Sequence, residues 1–238
     1  MKLLISNQHG AIVMALMPFF YGVFLSEHAV WQHIFLLLSW FSLYLMTYPF
    51  LNLFKGRNME LYWRWSWIYG TASVIFAIPA LLHNWKIVYF GMVIAALSLV
   101  SIYYVKQKDE RALLNDFNGI VIFAIAGCCA YYFPDRAIDQ NWWRVAGYPS
   151  LLFVGATLYV KSVMRERKNP LYLKASIVFH LICILLMLML QKYMMALAFI
   201  IPAVRAVWLP HKKMSVKQVG LVELAVSLYF FIMLIIAS

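Results

Sequence analysis

The chain has 238 residues, of which 65% are apolar and only 12% are charged, and its formal net charge is +11. Soluble globular proteins average about 45–50% apolar and about 25% charged residues, so this composition excludes a water-soluble protein and requires a surface that mostly faces lipid. The low numbers of Gly, Pro and Cys (10, 8 and 3) also exclude collagen, a disordered chain and a disulfide scaffold.

Long apolar runs organise the whole chain. A helix needs about 17–25 largely apolar residues to cross a hydrocarbon core of about 30 Å. Runs of this kind cover approximately 10–26, 30–51, 65–82, 86–105, 113–133, 143–161, 173–190, 193–210 and 217–236. They predict an all-α polytopic membrane protein with about nine transmembrane helices in a single domain that covers residues 1–238. The eighth run contains Arg205 near its end, and we expect this side chain to snorkel towards the membrane surface.

The distribution of Lys and Arg predicts the orientation of these helices. With nine spans, 16 of the 20 basic residues fall on the side of the N-terminus and 4 on the other side. Basic residues concentrate on the cytoplasmic side of membrane proteins, so the N-terminus is predicted to be cytoplasmic and the C-terminus outside. This polarity explains the basic charge without nucleic acid, and the same face would attract anionic lipid headgroups.

Two polar clusters lie on the predicted cytoplasmic side of the first spans. His9 stands at the start of the first span, where an imidazole could bind a phosphate or simply form a polar helix end. Asn52 ends the second span and is followed by Lys55 and Arg57. The two basic residues are what the positive-inside rule produces unaided, so Asn52 is the more suggestive member.

A third cluster runs into the start of the fifth span. It contains Arg111, Asn115, Asp116 and Asn118, and the two asparagines share a helical face at a spacing of three. An Asp in this position is costly unless it is paired, and Arg111 is the expected partner of Asp116. An acidic residue at a helix start is also favourable through the helix dipole alone.

The fourth cluster follows the sixth span and contains Lys161, Arg165 and Glu166. Lys161 and Arg165 are four residues apart and are expected to face the same way, so the segment could hold an anion. A basic loop that only anchors the topology is the alternative. Deeper in the membrane, His180 and Glu223 are isolated ionisable residues, and each is either a functional group or a structural helix contact.

Three stretches resemble a known family: NQHGAIVMALMPFFYG near the start, DERALLNDFNGIVIFAIAG in the middle and YVKSVMRERKNPLY later. Together they resemble the YwiC-like family of bacterial integral membrane proteins over nearly the whole chain. The resemblance implies a multi-pass protein of the bacterial cytoplasmic membrane, and it implies architecture more than activity.

The chain is also remotely similar to the UbiA-type intramembrane prenyltransferases, which have nine helices and a cytoplasmic N-terminus. This resemblance implies a UbiA-like bundle. In those enzymes two aspartate-rich motifs hold magnesium on a prenyl diphosphate, but the corresponding stretches here, 52–58 and 165–169, keep only Glu166 among their acids. Basic residues in these positions would repel a divalent cation, so the resemblance implies an atypical or inactive member.

These observations lead to one hypothesis about function. The protein would bind an anionic lipid, such as a prenyl phosphate, in a basic cavity that opens to the cytoplasm, and no cofactor, metal or nucleic acid is predicted. The candidate ligand-binding residues are His9, Asn52, Arg111, Asn115, Asp116, Lys161, Arg165 and Glu166. Catalytic residues, protein partners and the oligomeric state are not assigned.

Three alternatives stay open at this point. The first is an active intramembrane prenyltransferase that uses Asp116 and Glu166 as its remaining carboxylates. The second is a transporter of a small anion or metabolite, although the sequence lacks the internal repeat and paired broken helices that typify transporters. The third is a structural protein that acts in membrane assembly.

Overall fold

The structure, a computed structural model, describes residue 4, residues 9–56 and residues 58–238, with the side chain of residue 9 excepted. This part of the chain contains nine α-helices. In chain order they are α1 (His9–Leu25), α2 (His33–Leu53), α3 (Met59–His83), α4 (Val88–Lys106), α5 (Leu113–Asp135), α6 (Gln140–Val163), α7 (Pro170–Met189), α8 (Tyr193–Trp208) and α9 (Val216–Ala237). The predicted all-α fold is therefore confirmed.

Seven of these helices are long and apolar enough to cross a membrane, namely α2 to α5 and α7 to α9, where α4 and α8 are counted with the short 3-10 helices that adjoin them, Trp85–Ile87 and Leu209–His211. This confirms a polytopic membrane protein, in which helices satisfy the backbone hydrogen bonds that lipid cannot. The helix α1 is apolar but shorter. The helix α6 carries Gln140, Asn141 and Arg144 in its first two turns, which lowers its hydropathy. Membrane crossing by α1 and α6, and the orientation of the bundle, stay predictions.

Polar caps explain where several helices begin. Asp139 precedes α6, and its Oδ1 accepts hydrogen bonds from the backbone N–H groups of Asn141 (2.8 Å) and Trp142 (3.2 Å). The Tyr131 hydroxyl donates to both carboxylate oxygens of Asp139, at 2.9 and 2.8 Å, and this bond holds the pKa of Asp139 below its ordinary value. The helix α9 begins with a capping box between Ser215 and Gln218.

The chain forms two compact units, and each is described by itself. The N-terminal unit comprises Met1–Ala146 and the C-terminal unit comprises Gly147–Ser238, so the division falls within α6. The sequence prediction of one transmembrane domain stays a prediction.

In the N-terminal unit, α1 and α5 pack with their backbones in close approach. A Cβ atom at Gly22 would clash with the carbonyl oxygen of Gly127, and a Cβ atom at Gly127 would lie 2.6 Å from the carbonyl oxygen of Pro18. Small residues permit this approach, which is a common way for helices to associate where lipid removes the hydrophobic driving force. Between α2 and α3, Ser39 and Ser73 donate their hydroxyl groups to each other's backbone carbonyl at 2.9 and 3.0 Å.

Neutral side chains satisfy backbone carbonyls inside the same unit. The Trp40 indole N–H donates to the Ala15 carbonyl at 2.9 Å, and His33 Nε2 donates to the Ala130 carbonyl at 3.1 Å. The Ala130 carbonyl would normally accept from the residue four positions later, but that residue is Pro134, which has no N–H. The imidazole of His33 therefore supplies the hydrogen bond that the helix cannot.

In the C-terminal unit, α8 packs against both α7 and α9. The apolar part of the α8–α9 contact includes Phe199 and Phe230, which are fully buried and meet edge to face at 4.9 Å between ring centroids. Charged side chains are buried between these same helices, and they form the site described next.

Candidate functional site

Several buried polar side chains of the C-terminal unit, including an oppositely charged pair, gather at Arg205. We use the name Arg205 network for five side chains that come from four helices. They are Tyr159 of α6, Ser176 and His180 of α7, Arg205 of α8 and Glu223 of α9. All are buried, with exposed fractions between 0% and 9%. Buried ionisable residues in a membrane protein are costly, and they commonly mark functional sites.

Arg205 holds two different partners through its two terminal nitrogens. Its Nη1 donates to both carboxylate oxygens of Glu223, at 2.8 Å each. Its Nη2 donates to His180 Nε2 at 3.0 Å. The arrangement joins α7, α8 and α9, and it places a paired positive and negative charge inside the unit.

His180 is held in one tautomer by its surroundings. Its Nδ1 donates to the Ser176 carbonyl at 2.6 Å, so Nε2 carries a lone pair and accepts from Arg205. A Cβ atom at Gly155 of α6 would lie 2.7 Å from Nε2. The absence of a side chain at Gly155 therefore gives the imidazole room to reach the guanidinium.

Three polar atoms of the Arg205 network have no hydrogen-bond partner among the described residues. They are Arg205 Nε, the Tyr159 hydroxyl oxygen and Ser176 Oγ. The guanidinium carbon of Arg205 lies 4.4 Å from the centre of the Tyr159 ring. This cation–π contact holds the Arg205 and Tyr159 side chains together. Unpaired buried polar atoms are rare in folded proteins, and each costs about 1–3 kcal/mol.

His180 and Glu223 lie well inside their helices, whereas Arg205 lies in the last turn of α8. His180 is ten residues after Pro170, about 15 Å along α7, and Glu223 is seven residues after Val216, about 10 Å along α9. The sequence identified His180 and Glu223 as candidates, but its expectation that Arg205 snorkels is wrong, because Arg205 is only 3% exposed and is bonded to Glu223. Only the opposite charge on the next helix, 18 residues later, could have indicated this pairing.

A basic loop connects α6 and α7 in the same unit. Residues 164–169 line a surface cavity of about 460 Å³ and include Arg165, Glu166, Arg167 and Lys168. The loop is tightly turned, because the Glu166 N–H donates to the Lys161 carbonyl and the Asn169 N–H donates to the Glu166 carbonyl, both at 2.8 Å. Since Tyr159 lies five residues before this loop, the cavity begins about 7.5 Å further along the chain from the Arg205 network.

The predicted relation between Lys161 and Arg165 is wrong. The helix α6 ends at Val163, so the two residues do not share a helical face. Lys161 is buried with an exposed fraction of 7%, whereas Arg165 is exposed in the loop. The separation of four residues would place them together only if the helix continued.

The second and third sequence clusters meet at one end of the N-terminal unit. Lys55 Nζ, after α2, lies 2.7 Å from Glu110 Oε1 in the loop between α4 and α5. Asn115 Nδ2 donates to the Glu110 carbonyl at 2.7 Å, and Asn118 Nδ2 donates to the Leu97 carbonyl at 3.0 Å. Asn52 is buried and donates from Nδ2 to the Tyr48 carbonyl of its own helix at 2.8 Å.

The predicted site residues are divided between the two compact units. Arg111 is exposed in the loop before α5, and Asp116 is partly buried in the first turn of α5. His9 begins α1, but its side chain and all of Arg57 lie outside the described residues. Asn52, Arg111, Asn115 and Asp116 thus belong to the N-terminal unit, and Lys161, Arg165 and Glu166 to the C-terminal unit. A single cavity lined by all eight residues stays a prediction.

One group of side chains in the described part has a spacing that could suit a metal ion. Ligand atoms of Glu27, His28 and Asp135 all lie within 4.8 Å of one another, and all three residues are exposed. Acidic groups often gather at a surface without a metal, so this geometry alone assigns no ion.

Comparisons with known proteins identify relatives of the chain. The model of the YwiC-like protein family matches residues 5–131. An uncharacterized protein of Haemophilus influenzae is 60% identical over 238 residues, which is 100% of both chains. The uncharacterized protein YwiC of Bacillus subtilis is 33% identical over 230 residues, covering 97% of this chain and 96% of its own.

No solved structure matches the chain. The remote similarity to UbiA-type prenyltransferases stays a prediction from the sequence. The family match spans more than half of the chain, and both relatives align over almost its full length. The chain therefore belongs to the YwiC-like family.

Proposed function

We propose that this membrane protein binds an anionic amphiphile at the cytoplasmic end of its C-terminal unit, through the basic loop between α6 and α7. One observation carries the proposal, the surface cavity of about 460 Å³ that residues 164–169 line. Arg165, Arg167 and Lys168 supply three positive charges around it, against the single acid Glu166. Such a cavity suits a phosphate, because Arg offers paired N–H donors and Lys a mobile point charge.

The position of the loop supports a ligand that is anchored in lipid. The loop joins α6, whose membrane crossing is a prediction from the sequence, to α7, which is long and apolar enough to cross a membrane. A headgroup in the cavity would then have its chain beside these helices. The positive-inside rule places the loop on the cytoplasmic side, where anionic lipids add an attraction of about 1 kcal/mol for each basic residue. A bacterial cytoplasmic membrane is part of this proposal, and the bacterial origin of both relatives supports it.

The experiment is native mass spectrometry of the protein in mild detergent, with identification of lipid that remains bound. Geranylgeranyl phosphate and a diacyl phosphatidate are then added as probes. The parent protein is expected to retain an anionic lipid, and the R165A/R167A variant is expected to lose it. The matched control is K212A/K213A, which removes two exposed charges elsewhere in the same unit. Equal retention by the parent protein and both variants would contradict the proposal.

The probes also separate the ligand classes. A preference for geranylgeranyl phosphate would favour a prenyl phosphate and would justify an assay for prenyl transfer. The active prenyltransferase that the sequence left open depends on Asp116 and Glu166, which belong to different compact units. Equal binding of the two probes would instead indicate recognition of the phosphate alone.

A transporter of a small anion is a second candidate, and the Arg205 network favours it. A paired Arg and Glu with a neighbouring His inside a membrane unit is a common feature of transport and proton pathways. Uptake of a labelled anion into proteoliposomes, lost in R205M, would support transport. Binding without uptake would favour the amphiphile.

A further inference from the structure

The Arg205 network has hydrogen-bonding capacity that the protein itself does not use. Arg205 Nε, the Tyr159 hydroxyl and Ser176 Oγ have no partner among the described residues, and all three side chains are at least 97% buried. Inside a membrane there is no bulk water to satisfy such groups. Arg205 Nε and the Tyr159 hydroxyl belong to side chains that contact each other, and two unpaired polar groups in contact indicate a place for a polar ligand.

The chemistry of these atoms selects a ligand that accepts hydrogen bonds. Arg205 Nε is a charged donor, and the Tyr159 and Ser176 hydroxyl groups are each able to donate. The other two guanidinium nitrogens already bond to Glu223 and His180, so Nε is the nitrogen of Arg205 that has no partner among the described residues. A charged N–H beside the Tyr159 side chain suits an oxyanion, which accepts short, charge-assisted hydrogen bonds.

The charge of the network sets a condition on such a ligand. Arg205 is already neutralised by Glu223 at 2.8 Å, so an added anion would leave one uncompensated negative charge in a low-dielectric interior. Glu223 bonds to Arg205 of α8. The same guanidinium also contacts Tyr159 of α6 and His180 of α7. Neutrality is restored if the Glu223 carboxylate takes up one proton when the anion enters.

We propose that Arg205 is an intramembrane binding site for a singly charged oxyanion, such as a carboxylate, and that each anion binds together with one proton taken up by Glu223. Glu223 is then the internal counterion of the empty site, and the ligand replaces it as the partner of Arg205. His180 keeps the guanidinium in place while the partner changes. This site is separate from the loop cavity of the proposed function and does not depend on it.

The test measures binding of two carboxylates to the purified full chain in detergent by isothermal titration calorimetry. Acetate represents a free anion, and octanoate carries the same group on an apolar chain. Both stay ionised between about pH 6 and about pH 8, so any pH dependence belongs to the protein. Repeating the titration in buffers of different ionisation enthalpy gives the number of protons taken up for each anion bound.

The parent protein is expected to bind at least one probe with one proton taken up, and its affinity should fall about tenfold for each unit of rising pH. Replacing Glu223 with neutral Gln should remove this dependence and give tight binding throughout, because Arg205 then lacks its counterion. R205M should abolish binding. Y159F should weaken binding a few-fold without changing the pH slope, and it provides a milder variant if E223Q folds poorly.

Several outcomes would overturn the site. Binding that is independent of pH in the parent protein, or that survives R205M, contradicts it. If neither probe binds to the parent protein or to E223Q at any pH, the unpaired groups are hydrated and the inference is wrong. The K212A/K213A variant, which removes two exposed charges outside both sites, should bind acetate as the parent protein does. Lipid retention in mass spectrometry tests the loop separately, so failure of the loop proposal and failure of this one give different results. Octanoate binding without acetate binding would identify an amphiphile as the ligand.

Discussion

The two compact units satisfy their buried polar groups in different ways. In the N-terminal unit, neutral donors such as His33 and Trp40 bond to backbone carbonyls. In the C-terminal unit, Arg205 bonds to Glu223, and the charged side chains that are buried among the described residues all lie in this unit. The difference separates a region built on neutral hydrogen bonds from one that contains opposite charges.

The comparison indicates where function resides. A neutral side chain that donates to a carbonyl adds a modest net stabilisation, about 0.6 kcal/mol on average between membrane helices. A buried ion pair is seldom better for stability than apolar packing of the same volume, because both charges lose their hydration. The packing of the N-terminal unit is therefore explained by structure alone, whereas the buried pair of Arg205 and Glu223 is expected to be less stable than apolar packing and calls for another reason.

The largest expected effect comes from removing one charge of the Arg205 network. Glu223→Ala leaves the guanidinium of Arg205 buried without a counterion, and it should lower the free energy of unfolding by about 3–5 kcal/mol. The measurement is unfolding in mixed micelles followed by circular dichroism. Glu60→Ala removes an exposed carboxylate and should change the stability by less than about 0.5 kcal/mol.

A double variant separates the pair from its surroundings. R205M/E223L replaces both charges with apolar side chains, so no buried charge is left unpaired, and it should recover most of the stability lost in Glu223→Ala. If the double variant were no more stable than the single one, the pair would itself stabilise the unit. The contrast between the two units would then disappear.

The sequence predicted the helices more successfully than the network. The nine apolar runs correspond to the nine helices, since length and hydropathy depend only on local composition. His180 and Glu223 were identified because an ionisable residue inside an apolar run is conspicuous. The contact of Arg205 with Glu223 depends on the rotation of α8 against α9, and hydropathy does not encode that rotation. The sixth run was predicted to end at residue 161, close to the end of α6 at Val163, but the expectation that Lys161 and Arg165 share a face required a helix that continues to Arg165.

A smaller effect is expected where α1 and α5 approach most closely. Gly127→Ala places a Cβ atom 2.6 Å from the Pro18 carbonyl oxygen, so the helices must move apart. The free energy of unfolding should fall by about 1–3 kcal/mol, which is the usual cost of overpacking. Gly119→Ala is the matched control on the same helix, because its Cβ atom meets no described atom within 4 Å. It should be neutral or stabilise by up to about 1 kcal/mol, and an equal loss in both variants would contradict the close approach.

The hydrogen bond from His33 to Ala130 should contribute less. His33→Phe keeps an aromatic ring beside Phe133 but leaves the Ala130 carbonyl without a donor, and it should cost about 1 kcal/mol. Pro134→Ala in the His33→Phe background restores a backbone N–H four residues after Ala130, and it should recover part of this loss. If the double variant is no more stable than His33→Phe alone, the missing hydrogen bond is not the cause of the loss, and the histidine acts through the packing of its ring.

The smallest effect concerns the cap that starts α6, and it depends on pH. The Tyr131 hydroxyl and two backbone N–H groups bond to the Asp139 carboxylate and hold its pKa below the ordinary value. A carboxyl group with a depressed pKa stabilises the folded state above its unfolded pKa of about 3.9, and this contribution is lost as the pH falls through the folded pKa. The thermal midpoint of the parent protein should therefore exceed that of Asp139→Asn at neutral pH, and the difference should shrink in acid.

Tyr131→Phe tests the cause of this dependence. Because the Tyr131 hydroxyl is the largest contributor to the lowered pKa, its removal should reduce the pH-dependent part of the difference while the N-terminal cap of α6 remains. Thermal unfolding in detergent between about pH 7 and about pH 3 measures both variants beside the parent protein. A difference between the parent protein and Asp139→Asn that stays constant over this range would mean that the carboxylate charge is not what stabilises the cap.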